Sequence, residues 1–237
     1  MTEPKAKTKA KPRAKTKAKT KAKPGDDSAM KAAILDAALK QVPFDGFTAH
    51  VLEAAGAEAG ADAQSLARLF PDGPLSLVEA FSDWADGEMT ARLAKAKLDE
   101  KKIRTRITLA VQTRLEILRP RKEAARRAAA FLTLPPHAAL GTKLLYRTVD
   151  AMWRAAGDTS TDFNFYTKRA ILAGVYSTTV MRWFTDDSED EQATNEFLAR
   201  RIENVMQFEK LKAQVKDRSK GFPSFSEILQ RFSPPAR

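Results

Sequence analysis

GFTAHVLEAAGAEAGADAQSLARLFPDG, residues 46–73, reads as two short helices joined by a turn. Its apolar residues recur at helical rather than alternating spacing, and Gly56 to Gly60 supplies the break between them. Pro71-Asp72-Gly73-Pro74 closes the stretch, because proline lacks the amide proton that a helix interior requires. A helix expected at 28–41 precedes it and a long one at 75–98 follows. That order is a helix-turn-helix arrangement.

Working outward, the spacing predicts helices at 48–55, 62–70, 103–118, 121–133, 137–156, 162–184, 189–217 and 224–232. No run of alternating β-branched residues points to a sheet. The expected fold class is all-α, a bundle of nine to ten helices. Ser76 with Glu79, Ser188 with Glu191 and Ser224 with Glu227 read as capping boxes, each pairing a hydroxyl acceptor with a carboxylate three residues on. The division expected is a tail at 1–25, a helix-turn-helix-like part with its connecting helix at 28–98, a helical subdomain at 103–217, and a short amphipathic end at 222–237.

The formal net charge is +11, but the first 25 residues hold ten Lys or Arg against Glu3 alone and account for +9 of it, leaving +2. That tail has no aliphatic side chain larger than Ala after Met1, so burial cannot offset the entropy of ordering it, and it is expected to be disordered. It suits either a solvated tail or a tether to an anionic membrane. Cysteine is absent, which removes disulfides, thiolate catalysis and Cys-ligated metals. His50 and His137 stand alone, and no phosphate loop, nucleophile elbow or Glu-x-x-His pair occurs. A protein without enzymatic activity, cofactor or metal is therefore expected. With no apolar run of membrane-spanning length and no recognisable leader, the expectation is a bacterial cytoplasmic protein, and the amphipathic end at 222–237 adds a peripheral place at the inner membrane.

Residues 46–81 resemble the N-terminal part of TetR-type repressors, which makes a ligand-sensing transcriptional regulator the alternative function. Charge opposes it. Between Phe44 and Phe81 stand Asp45, Glu53, Glu58, Asp62, Asp72 and Glu79 against Arg68 alone, whereas a DNA-reading helix needs cations for phosphates and Arg, Asn or Gln for base edges. Only Gln64 and Arg68 are available on the second helix, so nucleic acid is not the expected partner.

A second stretch carries the functional reading: Trp153 to Gly157, Asp158, then Asp162-Phe163-Asn164-Phe165-Tyr166-Thr167-Lys168-Arg169, Leu172, Val175-Tyr176 and Thr178-Thr179. With Phe197 to Met206 it resembles the ubiquinone-biosynthesis accessory proteins that are ninth in the Coq series, over about Met30 to Phe208. The resemblance implies a TetR-like helical fold, a homodimer, a pocket for an isoprenoid lipid or ubiquinone precursor, and partnership with a demethoxyubiquinone hydroxylase. Phe165 departs from the family's usual Trp, keeping an aromatic surface but losing an indole donor.

Read physically, Thr161 and Asp162 suit the N-terminus of a helix, where a hydroxyl caps and a carboxylate opposes the positive end. Phe163, Phe165 and Tyr166 diverge by about 100° to 200° around a helix, so at least one should be exposed. Asp162, Phe165, Tyr166, Lys168 and Arg169 are the candidate docking residues, the alternative being packing between neighbouring helices. Leu144, Leu145, Val149, Met152 and Trp153, with Ile171, Leu172, Val175 and Met181, form apolar stripes that could wall a lipid site or simply form core. The segment Ile171 to Val175 with Val180 and Met181 is apolar nearly all round and is expected to be buried. At the end of the chain Phe222, Phe225, Ile228, Leu229 and Phe232, flanked by Lys220 and Arg231, fall on one helical face and suit a short interfacial membrane contact or packing on the domain.

Overall fold

The computed structural model describes residues 24–98, 100–159 and 163–219. Among them the chain forms nine α-helices and no strand. Helices α1 (Pro24–Asp45), α2 (Ala49–Glu58) and α3 (Ala63–Leu69) make the N-terminal part. Helix α4 (Pro74–Lys95) leads to α5 (Ile103–Leu118), α6 (Lys122–Thr133), α7 (Ala138–Ala155), α8 (Phe163–Phe184) and α9 (Gln192–Ser219). No described helix is long and apolar enough to cross a membrane. Residues 1–23 of the tail, the 222–237 end and the Ser224–Glu227 box lie outside the described residues, while Pro24 and Gly25, expected in the tail, open α1.

Local chemistry sets the helix ends. Thr48 accepts a hydrogen bond from the Val51 amide at 3.3 Å, and Asp62 from the Ser65 amide at 2.7 Å, capping α2 and α3. Helix α1 runs four residues beyond the expected end. Pro43 lacks a donor, yet proline's fixed φ is compatible with a helix, and the Gly46 amide still reaches the Val42 carbonyl at 2.9 Å. The expected box at Ser76 takes another form. Gly73, with φ +57, is the N-cap and Pro74 opens the helix, so Ser76 already lies inside α4 and its hydroxyl accepts from the Asp72 amide at 3.0 Å. Glu79, freed from capping, bonds to Lys143 and Arg147 of α7, each at 2.9 Å.

One apolar core threads both halves. Ile34, Val42, Val51, Leu77, Val78, Met89, Val111, Val149, Met152, Trp183 and Leu198 are all buried within it. The centre of the body is the packing of α4 against α5 and α7, with α8 laid on α7 and α9 on α8. Helix α8 is not enclosed as expected. Ala170, Gly174, Thr178 and Met181 form an exposed line along it, Met181 at 64%. Three of the four present little apolar area, so burial would gain little there.

Candidate functional site

Helices α4 to α8 enclose an open-mouthed cavity of ≈ 460 Å³ with a predominantly apolar wall. Its size lies in the range of small-molecule sites, about 300 to 1,000 Å³. Val78 and Phe81 come from α4, Leu118 from α5, Ala125 and Ala128 from α6, and Phe184 from α8. Alanines at two turns of α6 leave the space that larger side chains would fill.

Of the expected lipid-contacting residues, Leu144, Leu145 and Met181 line this cavity. Trp153, Ile171, Leu172 and Val175 instead line a separate cleft of only ≈ 80 Å³, shared with Ile103, Ile107, Ile202 and Val205. Val149 and Met152 are sealed in the core and line neither. The two stripes thus divide: the α7 face toward α4 and α6 borders the cavity, and the face toward α8 and α9 is packing.

The sequence reading missed a polar cluster in the cavity wall. Arg114, 5% exposed, places Nε 3.0 Å from Asp86 Oδ1, an ion pair without hydrogen-bond alignment. Its Nη2 donates to Thr148 at 3.2 Å and to Ser82 at 3.3 Å, and Thr148 donates onward to Asp86 Oδ2 at 3.0 Å. Burial pushes the Asp86 carboxyl up, while the Arg114 charge and the Thr148 hydroxyl pull it back. Tyr176 sits beside them, its ring 5.6 Å from the Arg114 guanidinium carbon. A signal existed: Arg114 falls in register with Ile107, Ala110, Val111 and Leu118 on the inward stripe of α5.

The docking candidates sit at the corner between α7 and α8. Helix α7 ends in a Schellman turn, the Asp158 amide reaching the Trp153 carbonyl at 3.0 Å, with Gly157 at φ +86. That conformation favours glycine, and a Cβ there would also meet Arg106 Nη1 at 3.1 Å. The turn delivers Asp158 to α8, where Lys168 Nζ binds Oδ1 at 2.8 Å and Arg169 Nη1 binds Oδ2 at 3.1 Å. Arg169 Nε takes Asp150 Oδ1 at 2.7 Å. The Trp153 indole N–H donates to the Lys168 carbonyl at 3.1 Å, fastening the two helices directly.

Arg169 is therefore not a docking side chain. It is 2% exposed, and two carboxylates draw its guanidinium inward, so its part in the corner is internal. Its other face carries the half-buried Phe165 ring, 3.3 Å from the guanidinium carbon. Tyr166, 64% exposed, meets Phe165 edge-on at 5.1 Å between centroids. Of Phe165 and Tyr166 it is Tyr166 that faces outward, with Lys168 beside it. Asp162 and Thr161, like Lys220, Phe222, Phe225, Ile228, Leu229, Arg231 and Phe232, lie outside the described residues.

In the N-terminal part Arg68, the single cation between Phe44 and Phe81, is ion-paired with Asp27 of α1. The helix that would read DNA in a repressor thus has its cation engaged within the fold.

This arrangement is that of a TetR-like helical protein. It superposes on a TetR transcriptional regulator from Nitrosomonas europaea with a TM-score of 0.61 at 20% identity, covering 76% of this chain and 99% of that one, a likeness of fold alone. Residues 138–209, which contain α7 and α8, match the COQ9 family model. It is 36% identical to the mitochondrial ubiquinone biosynthesis protein COQ9 of Bos taurus and 34% identical to that of Homo sapiens, in each case over 80% of this chain. A Drosophila melanogaster relative of the same name is 32% identical over 79% of the chain. The chain spans about three-fifths of the length of these relatives. All three carry mitochondrial names, which overturns the expectation of a bacterial cytoplasmic protein; that expectation rested on finding no membrane-spanning run and no recognisable leader.

Proposed function

We propose that this chain is a non-enzymatic accessory protein of ubiquinone biosynthesis. It binds the prenyl part of a quinone precursor in the α4–α8 cavity and presents it to a membrane-associated hydroxylase of the pathway. The observation that carries this reading is a predominantly apolar cavity of ≈ 460 Å³ whose walls at Leu144, Leu145 and Met181 fall inside the segment that matches the COQ9 family model. A long isoprenoid needs apolar wall and a way out, and Met181 both lines the cavity and faces solvent. The hydroxylase would dock on Tyr166 and Lys168, with Phe165 beneath. Homodimerisation, and membrane contact through Lys220, Phe222, Phe225, Ile228, Leu229, Arg231 and Phe232, belong to the same proposal.

The test is organic extraction of the purified protein followed by mass spectrometry. A prenylated lipid should be recovered in stoichiometric amount, and repeated extraction of preparations from a quinone-producing host without any such lipid would sink the reading. The engaged Arg68 and the acidic surface around it favour this over a DNA-binding regulator.

A further inference from the structure

One hydroxyl of the cavity wall has no hydrogen-bond partner among the described residues. Tyr176 is 9% exposed and lines the cavity, and among the described residues no protein group hydrogen-bonds its hydroxyl. Phenylalanine would supply the same ring to the core, so the hydroxyl is the feature to explain. It does not stand alone. Arg114, Ser82 and Thr148 line the same cavity, so hydroxyls and a guanidinium from four helices meet in a predominantly apolar space.

The charge balance of this cluster selects its ligand. Asp86 neutralises Arg114 at 3.0 Å, so the pair carries no net charge. A carboxylate or phosphate entering here would find the Arg114 charge already neutralised by Asp86, with no free cation among the described residues of this wall to offset its own desolvation. A neutral acceptor oxygen has no such charge to desolvate, and can take a donor from Tyr176. Burial raises the phenol above its ordinary value, so it keeps its proton at neutral pH and has it to donate.

We propose that Tyr176, with Arg114 beside it, is a head-group site: its hydroxyl donates a hydrogen bond to a carbonyl oxygen of a neutral quinone-like ring. The attached prenyl chain runs along Leu144 and Leu145 toward the mouth at Met181. The ring is thus held inward and the chain outward, so that hydroxylation of the ring requires its release from this cluster. This rests on the lipid-binding reading above, and adds orientation and a preference for neutral rings over anionic lipids.

The experiment uses the full chain, a ubiquinone bearing two isoprene units, and squalene as a hydrocarbon without a head group. Affinities are measured for the parent and for Tyr176→Phe, and the carbonyl stretch of bound quinone is recorded in the infrared. The expected result is quinone binding weakened about five- to tenfold in the variant, as loss of one hydrogen bond gives, with squalene binding unchanged. The bound carbonyl band should also lie lower in the parent than in the variant. Equal quinone affinities with identical carbonyl bands would overturn the head-group site while leaving the cavity a lipid site. Failure of the parent to bind either probe would overturn the lipid-binding reading, and this site with it.

Discussion

Arg169 on α8 and Asp158, just past the end of α7, meet at 3.1 Å, with side chains only 2% and 4% exposed. The guanidinium also holds Asp150 at 2.7 Å and the Phe165 carbonyl at 3.0 Å, so one cation satisfies groups from both sides of the corner.

Removing that cation should cost more than the contact is worth. Arg169→Ala leaves Asp158 buried without this partner and Asp150 partly buried, and breaking a buried pair from one side costs about 3–5 kcal/mol. Chemical denaturation should show a loss of that order. The corner carries the docking candidates, so hydroxylase binding should fall as well, as a consequence of lost structure. A loss below about 0.5 kcal/mol would show that the corner is held by other means.

Tyr166→Ala should separate docking from folding. The ring is 64% exposed, and surface substitutions of this kind usually shift stability by less than about 0.5 kcal/mol. If Tyr166 contacts the hydroxylase as a buried aromatic of an interface, its loss should weaken capture of the enzyme at least tenfold, the effect of an anchor worth more than about 1.4 kcal/mol. Full capture by a variant of unchanged melting temperature would remove Tyr166 from the docking face.

These two residues also mark how far the sequence was legible. Helical period, prolines and glycines place the helices to within a few residues, because those signals are local. The two roles within Asp162 to Arg169 are not local. Tyr166 and Arg169 both lie near Lys168, and the sequence does not say that Asp150, nineteen positions away, turns Arg169 inward. The lipid stripes fail for a similar reason: Val149 and Leu145 are one turn apart on α7, yet one is sealed and the other borders a cavity, because the gap depends on alanines contributed by α6. Arg114 and Asp86 were legible in principle as charges at or beside inward positions. Tyr176 was not, since an aromatic on an apolar face reads as core.

Filling the cavity should abolish lipid recovery without unfolding the protein. Ala129 on α6 lines it and is half-buried, so Ala129→Phe places a ring in existing space with limited strain. Extracts of the variant should contain several-fold less lipid per protein at a similar melting temperature. Undiminished lipid in a folded variant would place the bound molecule elsewhere.

The repressor alternative predicts sequence-specific DNA retention, and the observed charges predict its absence. Because Arg68 is engaged and the Lys-rich residues 5–23 supply the remaining excess charge, any retention of the full chain should be independent of sequence and vanish as salt rises. Gel shifts against promoter and scrambled duplexes at two salt concentrations decide it. A promoter-selective shift that survives 200 mM salt would restore the regulator.

Acid should loosen the junction of α8 and α9 through Asp186. Its carboxylate, 4% exposed, accepts from the Ser188 and Thr194 amides at 3.0 and 2.6 Å and from their hydroxyls at 2.6 and 2.5 Å. Burial alone would push the carboxyl up, but these four donors outweigh it and hold it well below the usual carboxylate range. The folded state thus binds the proton more weakly than the unfolded chain, whose Asp titrates near pH 4. The stabilisation is fully present above that value and is lost as pH falls through the lower, folded one. Asp186→Asn should cost about 1.5–3 kcal/mol at pH 7, the range for hydrogen bonds to a charged group, and the gap to the parent should close progressively below pH 4. Stability curves that stay parallel from pH 6 to pH 2 would show that Asp186 is not the carboxylate responsible for the acid limb.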